Sequence, residues 1–369
     1  MTALLMGSTL LTCLGDGPAT FAALLAGRDG RRPLHRGDPR RLRVTYGYHV
    51  EPAPGQFAAS DWLARCVRGA LRKSGVDPAR SRVACVVGTG LRELPTVEDV
   101  DPVELPVHRL HFADAVRAVA PGVREVVTLA NACAASGHAL ALAQDMVELA
   151  DADAVVVAGA DAMTESMLAM IGKVADQPTE RIRPFDTDRQ GVLLGDGGAA
   201  VVVVPDDGRP GADGRLLATG LSCDAYHETA PSPAGIARAM RDALARGRVS
   251  ATDVALVVAH GTGTALNDPA ECAALAEVLV RGGGDPVVTG IKGAVGHMSG
   301  TAALANLDVA LRSLCGGLAP PVVGLTSPLP EAAGLRLAAR TPVPLGPGVA
   351  QVNAFGFGGV NAVTLVAAP

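Results

Sequence analysis

Aromatic side chains make up only 3% of this 369-residue chain. That is too few for readings built on base stacking or sugar-binding platforms. Charged residues are also sparse at 19%, the net charge is −5, and no run of like charge is long enough to act as a tail. Global attraction to nucleic acid or to anionic membrane is therefore not expected. The seven cysteines (13, 66, 85, 133, 223, 272 and 315) include no C-x-x-C pair, which argues against a disulfide framework and a structural zinc site. No G-x-x-x-x-G-K-[ST] loop occurs, and the glycine turns lack the context of a dinucleotide fold. The opening MTALLMGSTLLTCLG is apolar but has no positive start and is too short for a membrane span. It reads as a first buried strand, and the expected setting is soluble and cytoplasmic.

What the chain does have is apolar residue, 49% of the whole. Continuous β-rich runs at 83–88, 126–130, 154–158, 199–204, 254–259, 350–354 and 362–367 predict strands covered on both faces. Ala- and Leu-rich helical segments lie between them, which points to an α/β protein with mainly parallel pairing. The polar stretch 204–215, VPDDGRPGADGR, is the clearest seam. Its two sides look alike. Helix-like 61–74, strand 83–88 and Gly88-Thr89-Gly90 correspond to helix-like 235–246, strand 254–259 and Gly261-Thr262-Gly263. Strand 126–130 with NACAASGHALAL then corresponds to strand 287–291 with KGAVGHMSGTAAL. Two duplicated halves, 1–205 and 214–369, are expected to meet where their strand ends converge.

Cys133 follows an apolar strand and begins a helix of small residues (134–150). A thiol there feels the positive end of the helix dipole, which favours thiolate, and the turn lifts it out of the sheet. The competing reading of that context alone is a buried structural cysteine, which is kept for the other six. His260 ends a buried strand, in V-V-A-H-G-T-G-T, where α/β folds place ligands. His297, in K-G-A-V-G-H, occupies the counterpart of the Cys133 turn in the second half. Either histidine alone reads as a satisfied polar residue; at matching strand ends opposite a nucleophile, they read as one site. His138, one turn beyond Cys133, reads as helix-facing. Thr262 and Thr264 offer hydroxyls beside His260, and the glycine-dense turn 355–362 can aim an amide into a cavity.

Five segments in order, N-A-C-A-A-S (131–136), R-P-F-D-T-D-R-Q-G (183–191), A-H-G-T-G-T-A-L-N-D (259–268), K-G-A-V-G-H (292–297) and N-A-F-G-F-G-G-V-N (353–361), resemble the β-ketoacyl-(acyl carrier protein) synthases across nearly the whole chain. The resemblance implies a thiolase-like α/β/α/β/α sandwich of two duplicated halves. It implies that Cys133 accepts the acyl group and that His260 and His297 promote malonyl decarboxylation. Lys292 would organise the site, and the N–H groups of Cys133 and Phe357 would form an oxyanion hole, with Phe357 also gating entry. Thr262 and Thr264 would hold a phosphopantetheine arm. No cofactor of the chain's own is implied, since phosphopantetheine arrives on the acyl carrier protein. The partners implied are that carrier and a second subunit, identical or related.

The chain departs from the family pattern in three places. Asp196 of Gly195-Asp196-Gly197 stands where a glutamate is usual, so its bonds toward the Lys292 region are expected to differ. The stretch from Gly90 to Cys133 is shorter by about a dozen residues, in a region that builds the dimer face and acyl pocket. Arg65, Arg68 and Arg72 share one face of helix 61–74 and read as a solvated face rather than a carrier-docking patch. Two other readings remain beside the synthase: a same-fold acyltransferase that does not decarboxylate, and a chain-length-determining partner subunit without catalysis.

Overall fold

The computed structural model describes residues 2–51, 57–99, 107–175 and 177–369, apart from the side chain of Val174. Residues 100–106, inside the shortened stretch, lie outside the described residues. The first half runs β1 (Ala3–Thr12), α1 (Ala58–Ser74), β2 (Val83–Gly88), β3 (Glu125–Leu129), α2 (Ala135–Glu148), β4 (Ala154–Asp161), α3 (Glu165–Val174) and β5 (Gly197–Pro205). The second runs β6 (Gly214–Cys223), α4 (Pro233–Gly247), β7 (Val254–Val258), α5 (Asn267–Leu275), β8 (Val287–Thr289), α6 (Ala302–Gly316), β9 (Val349–Gly356) and β10 (Val360–Ala367).

The strand order is β3-β2-β4-β5-β1 in the first half and β8-β7-β9-β10-β6 in the second, where the two-residue strand Arg336–Leu337 adds in parallel outside β8. Numbered within each half, both read third, second, fourth, fifth, first, so the duplication extends to the topology. The two first strands join the halves, pairing antiparallel through Ala3–Leu216, Leu4–Arg215 and Leu5–Gly214. The expectation of mainly parallel pairing needs correction. Only the outer strands are parallel (β2 with β3 and β4, β7 with β8 and β9), while every pair from β4 to β1 and from β9 to β6 is antiparallel. A continuous apolar run reports burial on both faces, not strand direction. β3 is also less covered than expected, because among the described residues it pairs with β2 alone.

Alternate side chains on each strand face different layers. Leu4, Met6, Ala154 and Val156 pack with Trp62, Leu63 and Val67 of α1 on one outer side. Ala3, Leu5, Val155, Val157, Leu256 and Val258 pack with Leu140 of α2 and Leu307 of α6 in the middle. Val254 and Val257 pack with Ile236 and Met240 of α4 on the other outer side. The result is the α/β/α/β/α sandwich, with α2 and α6 shared by both sheets. Each fully buried Leu or Val contributes about 1.5–3 kcal/mol, so the central layer fixes the two halves against each other. Arg65, Arg68 and Arg72 are exposed on α1. Among the described residues no helix is long and apolar enough to cross a membrane.

Candidate active site

The chain leaves β3 at Leu129 and turns through Ala132, which takes φ 48°. Cys133 sits in a single 3-10 turn, Ala132–Ala134, before α2 begins at Ala135. Small residues make the turn possible. A Cβ on Gly88 would lie 2.4 Å from the Ser136 nitrogen, and one on Gly356 would lie 3.2 Å from the Cys133 nitrogen. The end of β9 thus abuts the cysteine turn.

Cys133, His260 and His297 converge on one cavity of about 460 Å³. His297 Nε2 lies 3.0 Å from Cys133 Sγ, and the two imidazoles meet edge to face with centroids 5.4 Å apart. Lys292 is 2% exposed; its Nζ lies 3.4 Å from His260 Nδ1 and also donates to the His260 carbonyl. The Phe355 N–H donates to His260 Nδ1 at 3.4 Å. Nδ1 therefore acts as acceptor, and the neutral ring carries its proton on Nε2.

Burial dominates the electrostatics. It holds His260 well below the usual imidazole range, helped by the charge of Lys292 and by His297. His297 is held down likewise by burial and then Lys292. Lys292 itself is lowered to about 8 by burial, against the pull of Glu271, Cys133 and Asp268. The Cys133 thiol is raised to about 11, again by burial first, with Lys292 opposing and Asp161 adding to the rise. The expected thiolate is thus corrected. Cys133 stands in a 3-10 turn ahead of α2, and burial is the largest influence on its thiol. The nitrogen placed to receive its proton is Nε2 of the adjacent His297, 3.0 Å away.

Thr262, Thr264 and Phe357 line the same cavity. The two threonine hydroxyls are 2.9 Å apart, and Phe357 is 46% exposed at the mouth. Asp196 is not brought into the cavity lining. Its carboxylate accepts from the Met163 N–H at 2.8 Å and lies 3.5 Å from His49 Nδ1. The tie to the site is indirect, through the neighbouring Gly195 N–H, which donates to the His297 carbonyl at 3.0 Å. His138 follows the helix-facing reading, its Nδ1 3.0 Å from the Ala134 carbonyl. Cys223 and Cys315 are exposed, so they do not follow the buried reading given to the six other cysteines.

Sequence reasoning missed the carboxylates beneath the site. Glu271 accepts from the His260 and Gly261 N–H groups at 2.8 Å each and from Asn353 Nδ2 at 2.9 Å. Asp268 accepts from the Phe185 N–H at 2.7 Å and the Gly263 N–H at 3.1 Å, and burial raises it to about 6. The signal was two acids at i, i+3 on an otherwise apolar helix, directly after G-T-G-T. Asp161 accepts from Thr89 Oγ1, Gly90 N, Leu91 N, Thr301 N and Thr301 Oγ1, all within 2.9 Å, and so ties the two halves together. Among the described residues no group of three or more His, Cys, Asp or Glu side chains is arranged to hold a metal ion.

Residues 58–207 match the N-terminal domain of the β-ketoacyl synthases, and residues 214–326 match their C-terminal domain. A curated relative, 3-oxoacyl-[acyl-carrier-protein] synthase 2 of Vibrio harveyi, is 30% identical over 372 aligned positions, covering 92% of this chain and 86% of that one. The solved ishigamide ketosynthase/chain length factor superposes with a TM-score of 0.88 at 27% identity, over 100% of this chain and 99% of the other. A type II polyketide ketosynthase in complex with its acyl carrier protein shares the fold, with a TM-score of 0.89 at 17% identity over 100% and 99% of the two chains. With its two domain matches in order and this relative spanning most of its length, the chain belongs to the β-ketoacyl synthase family, the acyltransferases that carry out condensation in fatty-acid and polyketide synthesis.

Proposed function

We propose that this chain takes an acyl group onto Cys133 and condenses it with a malonyl unit on an acyl carrier protein. The observation that carries the reading is the 3.0 Å contact of Cys133 Sγ with His297 Nε2, beside a neutral His260 whose Nε2–H is free of the backbone contact at Nδ1. In the first step His297 takes the thiol proton and Sγ attacks the thioester carbonyl. The carrier thiolate leaves and takes that proton from His297. In the second step the malonyl carboxylate departs as carbon dioxide, and the electron pair moves to an enolate whose oxygen is met by donors from His260 and His297. The enolate carbon attacks the acyl–Cys133 carbonyl, the C–S bond breaks, and the departing Cys133 thiolate takes a proton from water to return to its resting thiol. Neutral His260 suits this step because its Nε2–H can donate to the enolate. His297 does so once the acylated sulfur no longer offers a proton to its Nε2 and the neutral ring carries its own proton there.

The N–H groups of Cys133 and Phe357 are assigned to the oxyanion hole, supported by the abutment of β9 on the cysteine turn. Lys292 holds His260, and Thr262 and Thr264 face the phosphopantetheine arm. Asp196 supports the site through Met163 and the strand beside His297. The partners are the carrier protein and a second subunit, identical or related, with the boundary between the halves at 205–214. Both a non-decarboxylating transferase and an inactive partner subunit fit less well, since neither needs both histidines beside the thiol.

Incubation with an acyl-carrier thioester, read by intact mass, is the test. Wild type gains one acyl group and Cys133→Ala gains none; an equal adduct on both proteins overturns the assignment. Adding malonyl-carrier then releases carbon dioxide and a lengthened product. Release of the acyl group without decarboxylation selects the transferase instead.

A further inference from the structure

One wall of the cavity is a helix face. Met167, Met170 and Ile171 stand at i, i+3 and i+4 on α3 and line the cavity beside Val192 and Leu194. Methionine adapts its shape readily, so the placement of the α3 backbone sets the width of this apolar arm.

The start of α3 has N–H groups that its own helix cannot satisfy. The Met167 N–H is taken by Thr164 Oγ1 at 3.1 Å. The other two go to a single carboxylate from a distant segment. Glu165 N–H donates to Glu98 Oε2 at 2.8 Å, Ser166 N–H to Glu98 Oε1 at 3.0 Å, and Ser166 Oγ to Oε1 at 2.6 Å. A negative charge at this end also suits the helix dipole. Glu98 is held in turn by Arg36, whose Nη2 lies 3.6 Å from Oε2. The same guanidinium donates to Asp99 at 2.7 and 3.0 Å and to the Pro95 carbonyl at 3.0 Å. The residues after Arg36 back the outer side of α3. A Cβ on Gly37 would lie 3.3 Å from Glu165 Cδ, and one on Gly172 would lie 1.8 Å from the Leu42 carbonyl oxygen. The helix is thus pinned at its first turn and pressed close along its back.

We propose that Glu98, steadied by Arg36, is a positioning residue for acyl selectivity: by seating α3 it fixes the width of the apolar arm and hence the discrimination between short and long acyl chains. This rests on the reading that Cys133 accepts an acyl group. An acetyl group extends only two carbons from Cys133, whereas a longer aliphatic chain has the length to run along Met167, Met170 and Ile171 in the same cavity. Loosening the helix start therefore acts on long chains and spares short ones.

The experiment compares wild type, Glu98→Gln and Arg36→Gln in Cys133 acylation by acetyl-, hexanoyl- and dodecanoyl-pantetheine thioesters. Glu98→Gln keeps the shape but loses the charge and one acceptor oxygen; Arg36→Gln leaves the cap itself intact and carries the test if the first variant does not fold. In Glu98→Gln the dodecanoyl-to-acetyl ratio of KM shifts about fivefold, the scale of losing a helix cap, with kcat for acetyl unchanged. Arg36→Gln shifts the ratio in the same direction by less. A uniform loss at all three lengths, or an unchanged ratio in both variants, overturns the proposal while the functional reading stands. Wild type that takes no acyl group from any thioester overturns the functional reading, and the proposal falls with it.

Discussion

The two halves repeat the same turn, and only one of them keeps it open. In the first half Ala132 takes φ 48°, Cys133 follows, and α2 begins two residues later. In the second, Ser299 takes φ 43°, Gly300 follows, and α6 begins two residues later. Non-glycine residues at such angles cost about 1–3 kcal/mol each, so the duplicated strain marks a shared design. The Cys133 turn faces the cavity. The Gly300 turn is closed against the other half, where a Cβ would lie 2.3 Å from the Thr89 carbonyl carbon and 2.4 Å from the Gly90 nitrogen. One elbow presents a thiol to the cavity; its counterpart is a contact between the halves, and the second half contributes His297 from just upstream. The same turn serves both halves, and the glycine at one elbow lets the halves press together.

That contrast breaks most sharply at the two equivalent positions. Cys133→Ala abolishes acyl transfer, a loss of about a thousandfold or more, while unfolding free energy in urea changes by less than about 1 kcal/mol. Gly300→Ala does the reverse. Its Cβ strikes backbone, which cannot rotate away, so stability falls by about 3 kcal/mol or more. If Gly300→Ala folded as well as wild type, the closed-elbow account would be wrong.

The next effect is electrostatic. In His297→Ala the thiol loses its proton acceptor, and its reactivity then follows thiolate alone. With burial raising Cys133 to about 11, alkylation of this residue by iodoacetamide, followed by peptide mass, keeps rising past pH 9. Levelling near pH 9 instead contradicts the burial effect. The sign for stability is the same. The folded protein holds the Cys133 proton up to about 11, whereas the unfolded chain releases it near 9, so folding stability falls between those values. Cys66 and Cys85, each raised to about 12 by burial, extend the fall.

Asp161→Asn tests the bond between the halves. Asn offers one acceptor oxygen where five donors converge, and its amide must face some of them. A loss of about 2–4 kcal/mol is expected from the orphaned buried groups, read by urea denaturation. An unchanged midpoint removes Asp161 from its role as the tie.

Much of this was legible in the sequence. The repeat was visible because Gly-Thr-Gly follows a buried strand twice, and the site because Cys133 and His260 follow buried strands closely, with His297 beyond a helical turn after a third. Strand direction was not, since hydrophobic periodicity reports burial alone. The thiol's proton affinity was misread because the desolvation acting on Cys133 comes from β9 and the second half, far away in sequence. Asp161 and Glu98 were invisible for a related reason. Each binds backbone N–H groups, which every residue has, so no side-chain pattern announces the partner.

The smallest effect separates the two Gly-Thr-Gly turns that first suggested the repeat. Thr89 is fully buried, and its hydroxyl donates to Asp161 at 2.7 Å. Thr262 lines the cavity, its hydroxyl 2.9 Å from that of Thr264. Removing a hydroxyl while keeping the shape tells the roles apart. Thr89→Val takes one donor from a buried carboxylate and lowers stability by about 1–2 kcal/mol, leaving KM for acyl-carrier thioester unchanged. Thr262→Val leaves the denaturation midpoint in place and raises that KM about fivefold, as losing one hydrogen bond to the bound arm requires. Equal behaviour of the two variants would mean that the repeated threonines kept a common structural duty; opposite behaviour places the division of labour between the halves at a single hydroxyl.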